Sequence, residues 1–336
     1  MKRRPTIIDV AKKAGVSKST VSRAISDDGS GVAEETRRRI EAAIEALGYE
    51  HNAVASSMRT NRTNTIMLAI PDIANPFWPD LARGVQDVMD REGYAVVFAN
   101  SDWRGDRENR FLQMARRNRF DGILINPIQV SNAELCATGI PTVLIGSRED
   151  YPDFDTVGSD SYGATRLALE HLASLGHRRI GLIRGKQVNR PGHSRMTGYL
   201  DFWAEQSLPR DDDLIVEVPF DQAGGFKAMT QLLTLSHPPT AVFAANDILA
   251  IGALQAARQI GCNVPQDLSI VGLDDIFAAT TTAPPLTTMT KPKYQIGQKA
   301  AEFLLEHIWG KETQKPKRHI FTCQLQLRGS TAPPKQ

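Results

Sequence analysis

Apolar residues recur at helical spacing along the first 50 positions. Val10 and Ala14 share a face, as do Val21 and Ile25, and Ile40, Ile44 and Leu47 follow at i, i+4, i+7. This spacing predicts short helices between residues 5 and 48, with Gly29 and Gly31 breaking the middle and Gly48 closing the last one. From about Asn64 the period changes. Short apolar runs predict strands at 65–70, 94–99, 121–126, 142–146, 179–185, 214–219, 240–245 and 268–273. Amphipathic segments between them predict helices at 77–92, 105–118, 161–175, 195–206, 223–235 and 247–260. Such alternation makes an α/β fold with parallel sheets covered on both faces. So many strands over the region after Asn64 predict two doubly wound lobes rather than one sheet.

The N-terminal run TIIDVAKKAGVSKSTVSRAI reads as helix, tight turn, helix. Thr6 caps the first helix with Asp9 three residues on. Gly15 sits where a left-handed turn is needed, and Ser17 caps the second helix. Lys18, Ser19, Ser22 and Arg23 project outward with nothing apolar among them. Amines and hydroxyls suit phosphate oxygens and base edges, and Arg suits guanine. An amphipathic helical hairpin with no DNA partner has the same spacing, so the pattern alone leaves both readings open.

Polar residues recur at successive strand ends of the αβ region. Asp72 and Asn75 follow the first strand, Asn100 the second, Asn246 and Asp247 the run TAVFAA, and Asp274 and Asp275 the run LSIVGL. Ligands collect beyond the carboxyl ends of strands in such sheets. Asn and Asp also favour turns and helix caps, so any one of them is equally a loop residue.

Charge sharpens the picture at one end. Net charge is +2 overall, but residues 1–63 carry 12 Lys and Arg against 8 Asp and Glu. The positive excess therefore gathers at the N-terminal end, which suits a polyanion there, or a solvated basic face. No 18-residue apolar run exists, and Asp9, Lys12 and Lys13 interrupt any signal-peptide core, so a cytoplasmic location is expected. Cys136, Cys262 and Cys323 are scattered, fit a reducing compartment and have no metal-ligand spacing. No cofactor is expected.

The run DVAKKAGVSKSTVSRAI, followed by VAEETRRRIEAAIEALGY, resembles the headpiece of the lactose-repressor/galactose-repressor (LacI/GalR) family of transcription regulators. The resemblance continues through IPDIANPFW, FDGILI, EHLASLGHRRIGLIRG, SRMTGY, PTAVFAANDILAIGAL, VPQDLSIVGLDD and PPLTTM. It implies a helix-turn-helix headpiece at 1–50, a hinge helix and linker at 51–63, and an effector-binding and dimerisation domain at 64–336. That domain resembles the type I periplasmic binding proteins, with one lobe at about 64–158 and 291–322 and the other at about 159–290 and 323–330.

By the same resemblance Lys18, Ser19 and Arg23 read the operator, while Thr6, Ser17, Thr20, Ser22 and Thr36 position the headpiece on the backbone. Asn52 to Arg59 matches the hinge segment. Met58 stands at the wedge position, usually Leu, that inserts into the minor groove and kinks the duplex, with Arg59 beside it. Ala33 and His51 depart from the Ser and Pro common there, which weakens a helix cap and alters the entry to the hinge. The implied effector set is Asn75, Phe77, Asp160, Arg195, Phe220, Asn246 and Asp274. Gly146 replaces a ligand-binding Asp of some relatives, and the nearby Arg148 joins the set as a contact for an acidic effector.

The implied function is a sequence-specific DNA-binding regulator, read as a repressor. It binds a palindromic operator as a homodimer, without a membrane, and is controlled by a sugar or sugar acid between its lobes. Two rival functions fit an α/β chain of this kind. An enzyme lacks support, because no G-x-G-x-x-G, P-loop or G-x-S-x-G motif is present. A transport binding protein is disfavoured by the attached headpiece. The end RGSTAPPKQ has no leucine heptads, so a tetramer through a C-terminal coiled coil is not expected.

Overall fold

The computed structural model describes residues 5–25, 31–50, 62–146, 150–186, 194–206, 211–310 and 315–335. The chain divides into two compact units, Met1–Thr63 and Asn64–Gln336.

The first unit contains three described helices: α1 (Ile7–Ala14), α2 (Lys18–Ile25) and α3 (Glu34–Leu47). Val10, Ala14, Val21, Ile40 and Ala43 form its buried centre, with Ile25, Ile44 and Leu47 packed against them. The capping box expected at α1 is present: Thr6 N donates to Asp9 Oδ2 at 2.8 Å, and Asp9 N donates back to Thr6 Oγ1. Gly15 has φ +65°, a conformation that strains any side chain. Its turn is braced from α3, where the Arg39 guanidinium donates to the Ala14 carbonyl. The cap at Ala33 has no side-chain hydrogen bond, as its methyl dictates.

The second unit holds two six-stranded sheets. Its first elements are β1 (Thr65–Ile70), α4 (Phe77–Arg91), β2 (Ala95–Asn100), α5 (Gly105–Arg117), β3 (Gly122–Ile125), α6 (Asn132–Cys136), β4 (Thr142–Ile145) and β5 (Asp155–Ser159). Then come α7 (Ser161–Ser174), β6 (Ile180–Gly185), α8 (Ser194–Glu205), β7 (Ile215–Val218), α9 (Gln222–Leu233), β8 (Ala241–Ala244), α10 (Asp247–Ile260), β9 (Ser269–Asp274), α11 (Ala278–Thr281) and β10 (Thr287–Thr290). The chain closes with α12 (Lys293–Ile308), β11 (Arg318–Phe321) and β12 (Gln324–Gln326).

The first lobe's sheet runs β11-β5-β4-β3-β1-β2 and the second's β12-β10-β9-β8-β6-β7. Every pairing is parallel except β12 against β10. The strands alternate their side chains between two cores, as a pleated strand must. Ile66, Leu68 and Ile70 of β1 enter one cluster, and Met67 and Ala69 the cluster on the opposite face. Val242 and Ala244 of β8 likewise part from Ala241 and Phe243. The chain changes lobe three times, after β5, after β10 and between β11 and β12.

Strands β5, β10, β11 and β12 were not among the predicted ones. The residues of β5 and β10, DTVGS and TTMT, show no apolar run, yet Thr287 and Thr288 are fully buried. They are tolerated because their polar groups are matched. Thr288 Oγ1 donates to Asp247, Thr287 N donates to Ser330 Oγ at 2.8 Å, and Thr287 Oγ1 accepts from Arg328 N at 3.0 Å. Helix α12, also outside the predicted set, covers the first lobe's sheet and packs against α4. Among the described residues no helix is long and apolar enough to cross a membrane.

Candidate functional site

The headpiece presents one polar face. Val21 holds α2 against the core, while Ser17, Lys18, Ser19 and Arg23 are exposed and Thr20, Ser22 and Thr36 are half-buried. Ser17 caps α2 by accepting from Thr20 N at 3.1 Å, and its hydroxyl also bonds those of Ser19 at 2.7 Å and Thr20 at 2.8 Å. Those three hydroxyls are therefore a preordered cluster at the helix start, beside Lys18. Thr6 is engaged differently: its backbone N–H and its hydroxyl both donate to Asp9, so its first task is to cap α1. Asn52, Met58 and Arg59 lie outside the described residues.

In the second unit a cavity of about 240 Å³ opens at the carboxyl ends of strands from both lobes. Asn75, Phe77, Arg195, Phe220, Asn246 and Asp274, all predicted from the sequence, line it together. Asp160 does not. Its carboxylate accepts from Gly163 N at 2.8 Å and caps α7, so the side chain folds back on its own helix. Its neighbours Ser159 and Ser161 line the cavity. Gly146 lines it too, and Arg148 lies outside the described residues.

The local geometry decides what each group can offer. Asn246 Oδ1 accepts from Leu249 N at 2.9 Å as the cap of α10, and Asn75 Oδ1 accepts from Phe77 N at 3.0 Å ahead of α4. Both amides therefore have their oxygens engaged and keep their NH2 groups for a ligand. Phe220 presses over Gly185, where an added Cβ would lie 2.0 Å from the ring. Across the cleft the Trp103 ring, from the first lobe, stacks on Phe220 at 4.9 Å with planes 7° apart.

The charged centre combines predicted and unpredicted residues. Asp274 is buried and pairs with Lys291, whose Nζ lies 3.0 Å from Oδ1. Among the described residues Lys291, not Arg195, makes the close ion pair with Asp274; Arg195 feels the Asp274 charge from farther off, and its Nε is shut off from solvent with no hydrogen-bond partner. Burial pulls both cations below their ordinary pKa, and Asp274 partly offsets the effect. Asp274 has φ +123° and Asp275 φ +53°, and the Lys293 ammonium holds this strained corner by donating to both carbonyls, at 2.9 and 2.7 Å.

Sequence reading missed Lys291 because it follows the unpredicted strand β10. Trp103 was missed because it sits three residues past the strand end at Asn100, in a loop where its φ is +60°. The one available signal was Asn100 at that strand end.

Comparison with known proteins adds the family. Residues 6–52 match the model described as bacterial regulatory proteins, lacI family, and residues 169–331 match a periplasmic binding protein-like domain. The HTH-type transcriptional repressor CytR of Escherichia coli (strain K12) is 35% identical over 332 residues, 97% of this chain and 96% of that protein. The chain belongs to the LacI family. A second member, the HTH-type transcriptional repressor PurR of Photorhabdus laumondii, is 36% identical over 91% of each chain. Among solved LacI-family structures, the lac repressor dimer bound to operator and the anti-inducer ONPF matches with TM-score 0.87, at 26% identity over 98% of this chain and all of that one. The complex of the regulator CelR with cellobiose matches with TM-score 0.74, at 31% identity over 97% of this chain and all of that one. As a LacI-family member this chain is a DNA-binding regulator of transcription and not an enzyme.

Proposed function

We propose that the chain is a repressor that binds a palindromic operator as a homodimer in the cytoplasm and is released or locked there by a sugar or sugar acid held in the cleft. The observation that carries this reading is the cleft itself: convergent polar groups around a stacked aromatic pair, in a chain that begins with a helix-turn-helix. Polar groups fixed beside an aromatic platform suit a polyhydroxy ligand, since hydroxyls both donate and accept.

The effector would act by linkage. It binds one relative arrangement of the lobes better than the other, and that difference biases whether paired hinge segments fold over DNA. A coupling of about 1–3 kcal/mol is typical of such proteins. Lys18, Ser19 and Arg23 would read bases in the major groove, with Ser17, Thr20, Ser22 and Thr36 on the phosphates. Met58, with Arg59 beside it and Asn52 at the segment's start, would wedge the minor groove.

An electrophoretic shift with operators selected from a random duplex library tests the reading. A palindromic site bound specifically, with Arg23→Ala losing roughly tenfold or more in affinity, is the expected result. Binding with no sequence preference would refute it.

A further inference from the structure

We infer that the effector is an oxyanion, a sugar acid or a sugar phosphate, and that Lys291 together with Arg195 sets this choice. The inference rests on the reading of the cleft as the effector site and concerns which ligand class that site accepts.

The first argument is the supply of donors. Asn75 and Asn246 each have one acceptor position of the amide oxygen taken by a backbone N–H group, and each has an NH2 to donate. A third cleft amide, Asn126, spends its own NH2 on the Ile145 carbonyl at 2.7 Å. Arg195 Nε and the Lys291 ammonium add further donors, and the buried Asp274 carboxylate lies against Lys291. A neutral hydroxyl can accept from these donors, but through weaker bonds. A carboxylate or phosphate only accepts, and its bonds to cations are the stronger kind.

The second argument is charge. Two cations, Arg195 and Lys291, share the single carboxylate of Asp274 in a buried place. The other charged groups nearby are matched elsewhere. Arg184 pairs with Glu217, Asp275 with Arg328, and Lys293 with the Asp274 and Asp275 carbonyls and Asp80. Lys186 is exposed at the rim, and Asp247 accepts from Thr288 and Ile276 behind the cleft. Among the described residues that line the cavity, one of the two cations is thus in excess of the carboxylates, with Asp160 beside the cavity occupied by the Gly163 N–H, and an excess buried cation is costly unless an anion joins it.

The third argument is placement. Lys291 lies on the crossover after β10, and its ammonium stands 5.4 Å from the Phe77 ring centre, on the first-lobe side of the cavity. An anion there would touch both lobes. A cavity of about 240 Å³ suits a single small ligand, below the ordinary range of roughly 300–1,000 Å³.

The test is calorimetric titration of the full chain with matched probes: glucose and galactose against gluconate, glucuronate, galacturonate and glucose 6-phosphate. Binding by an acid or by the phosphate, with its neutral parent at least about tenfold weaker, is expected. Lys291→Gln should erase that preference and Lys291→Arg should restore it, with thermal melting confirming that both variants fold. Preference for the acids identifies a sugar acid, and preference for glucose 6-phosphate a sugar phosphate. Tighter binding of a neutral sugar, or an anion preference unchanged in Lys291→Gln, overturns the inference and leaves the effector-site reading intact. Binding by none of the probes overturns the inference as well, and the operator shift then judges the regulator reading separately.

Discussion

Trp103 and Phe220 stack across the cleft, one from each lobe, with ring centres 4.9 Å apart. The Trp103 backbone is held at φ +60°, a conformation uncommon for a bulky residue, so the loop after β2 is shaped to present this ring. A stack of this kind contributes about 0.5–1.5 kcal/mol beyond area burial. It couples lobe position to the shape of the pocket.

Removing one ring should therefore loosen the cleft. Phe220→Ala is expected to raise acrylamide quenching of Trp103, with Trp103→Phe used to assign that emission. Gly185→Ala should act in the same direction, because its Cβ would push the Phe220 ring aside. Unchanged quenching in both variants would show that the stack does not hold the lobes.

Asp247 makes stability depend on pH. Burial first, and then the nearby Asp274 charge, push its carboxyl from 3.8 up to about 7. Between those values the folded chain keeps a proton that the unfolded chain has released. Stability from this group therefore falls as pH rises from about 4 to about 7, by up to about 1.4 kcal/mol per unit, and levels off above. Thermal melting of Asp247→Asn should lack this component. A parent and variant whose melting temperatures run parallel between pH 5 and 7 would exclude it.

The headpiece core is small, and Ile40 is one of its largest fully buried side chains. Ile40→Ala should cost about 2–5 kcal/mol, a large share of what a unit of this size possesses. Operator binding is expected to fail while the melting of the effector lobes stays near that of the parent. Joint loss of both transitions would mean that the two units fold as one.

Met58 carries the sequence-based expectation for the hinge. Met58→Ala should weaken operator binding and reduce the DNA bend measured by circular permutation of the site, leaving ligand binding by the free protein nearly unchanged. A variant that binds and bends like the parent would make the segment a spacer.

Local chemistry was legible wherever a residue's task depended on its near neighbours. Thr6, Asp9 and Gly15 shape the first helix and its turn through contacts spanning a few residues, and the outward Lys18 and Arg23 follow from helical period alone. Apolar runs marked β1, β3, β4, β6, β8 and β9, because strands buried on both faces are largely apolar. Strands β5 and β10 escaped, since Thr287 and Thr288 are buried only by virtue of partners over 40 residues away. The pocket divided along the same line. Asn246 and Asp274 stood at readable strand ends, whereas the stacking of Trp103 on Phe220 exists only once the lobes are folded together, and the pairing of Lys291 with Asp274 only once β10 lies beside β9. Asp160 shows the converse: its residue type suited a ligand, but the start of α7, three residues on, claimed its carboxylate first. Periodicity sets which residues are buried and which helix starts need caps. Which charge meets which is decided by long-range geometry that no local pattern encodes.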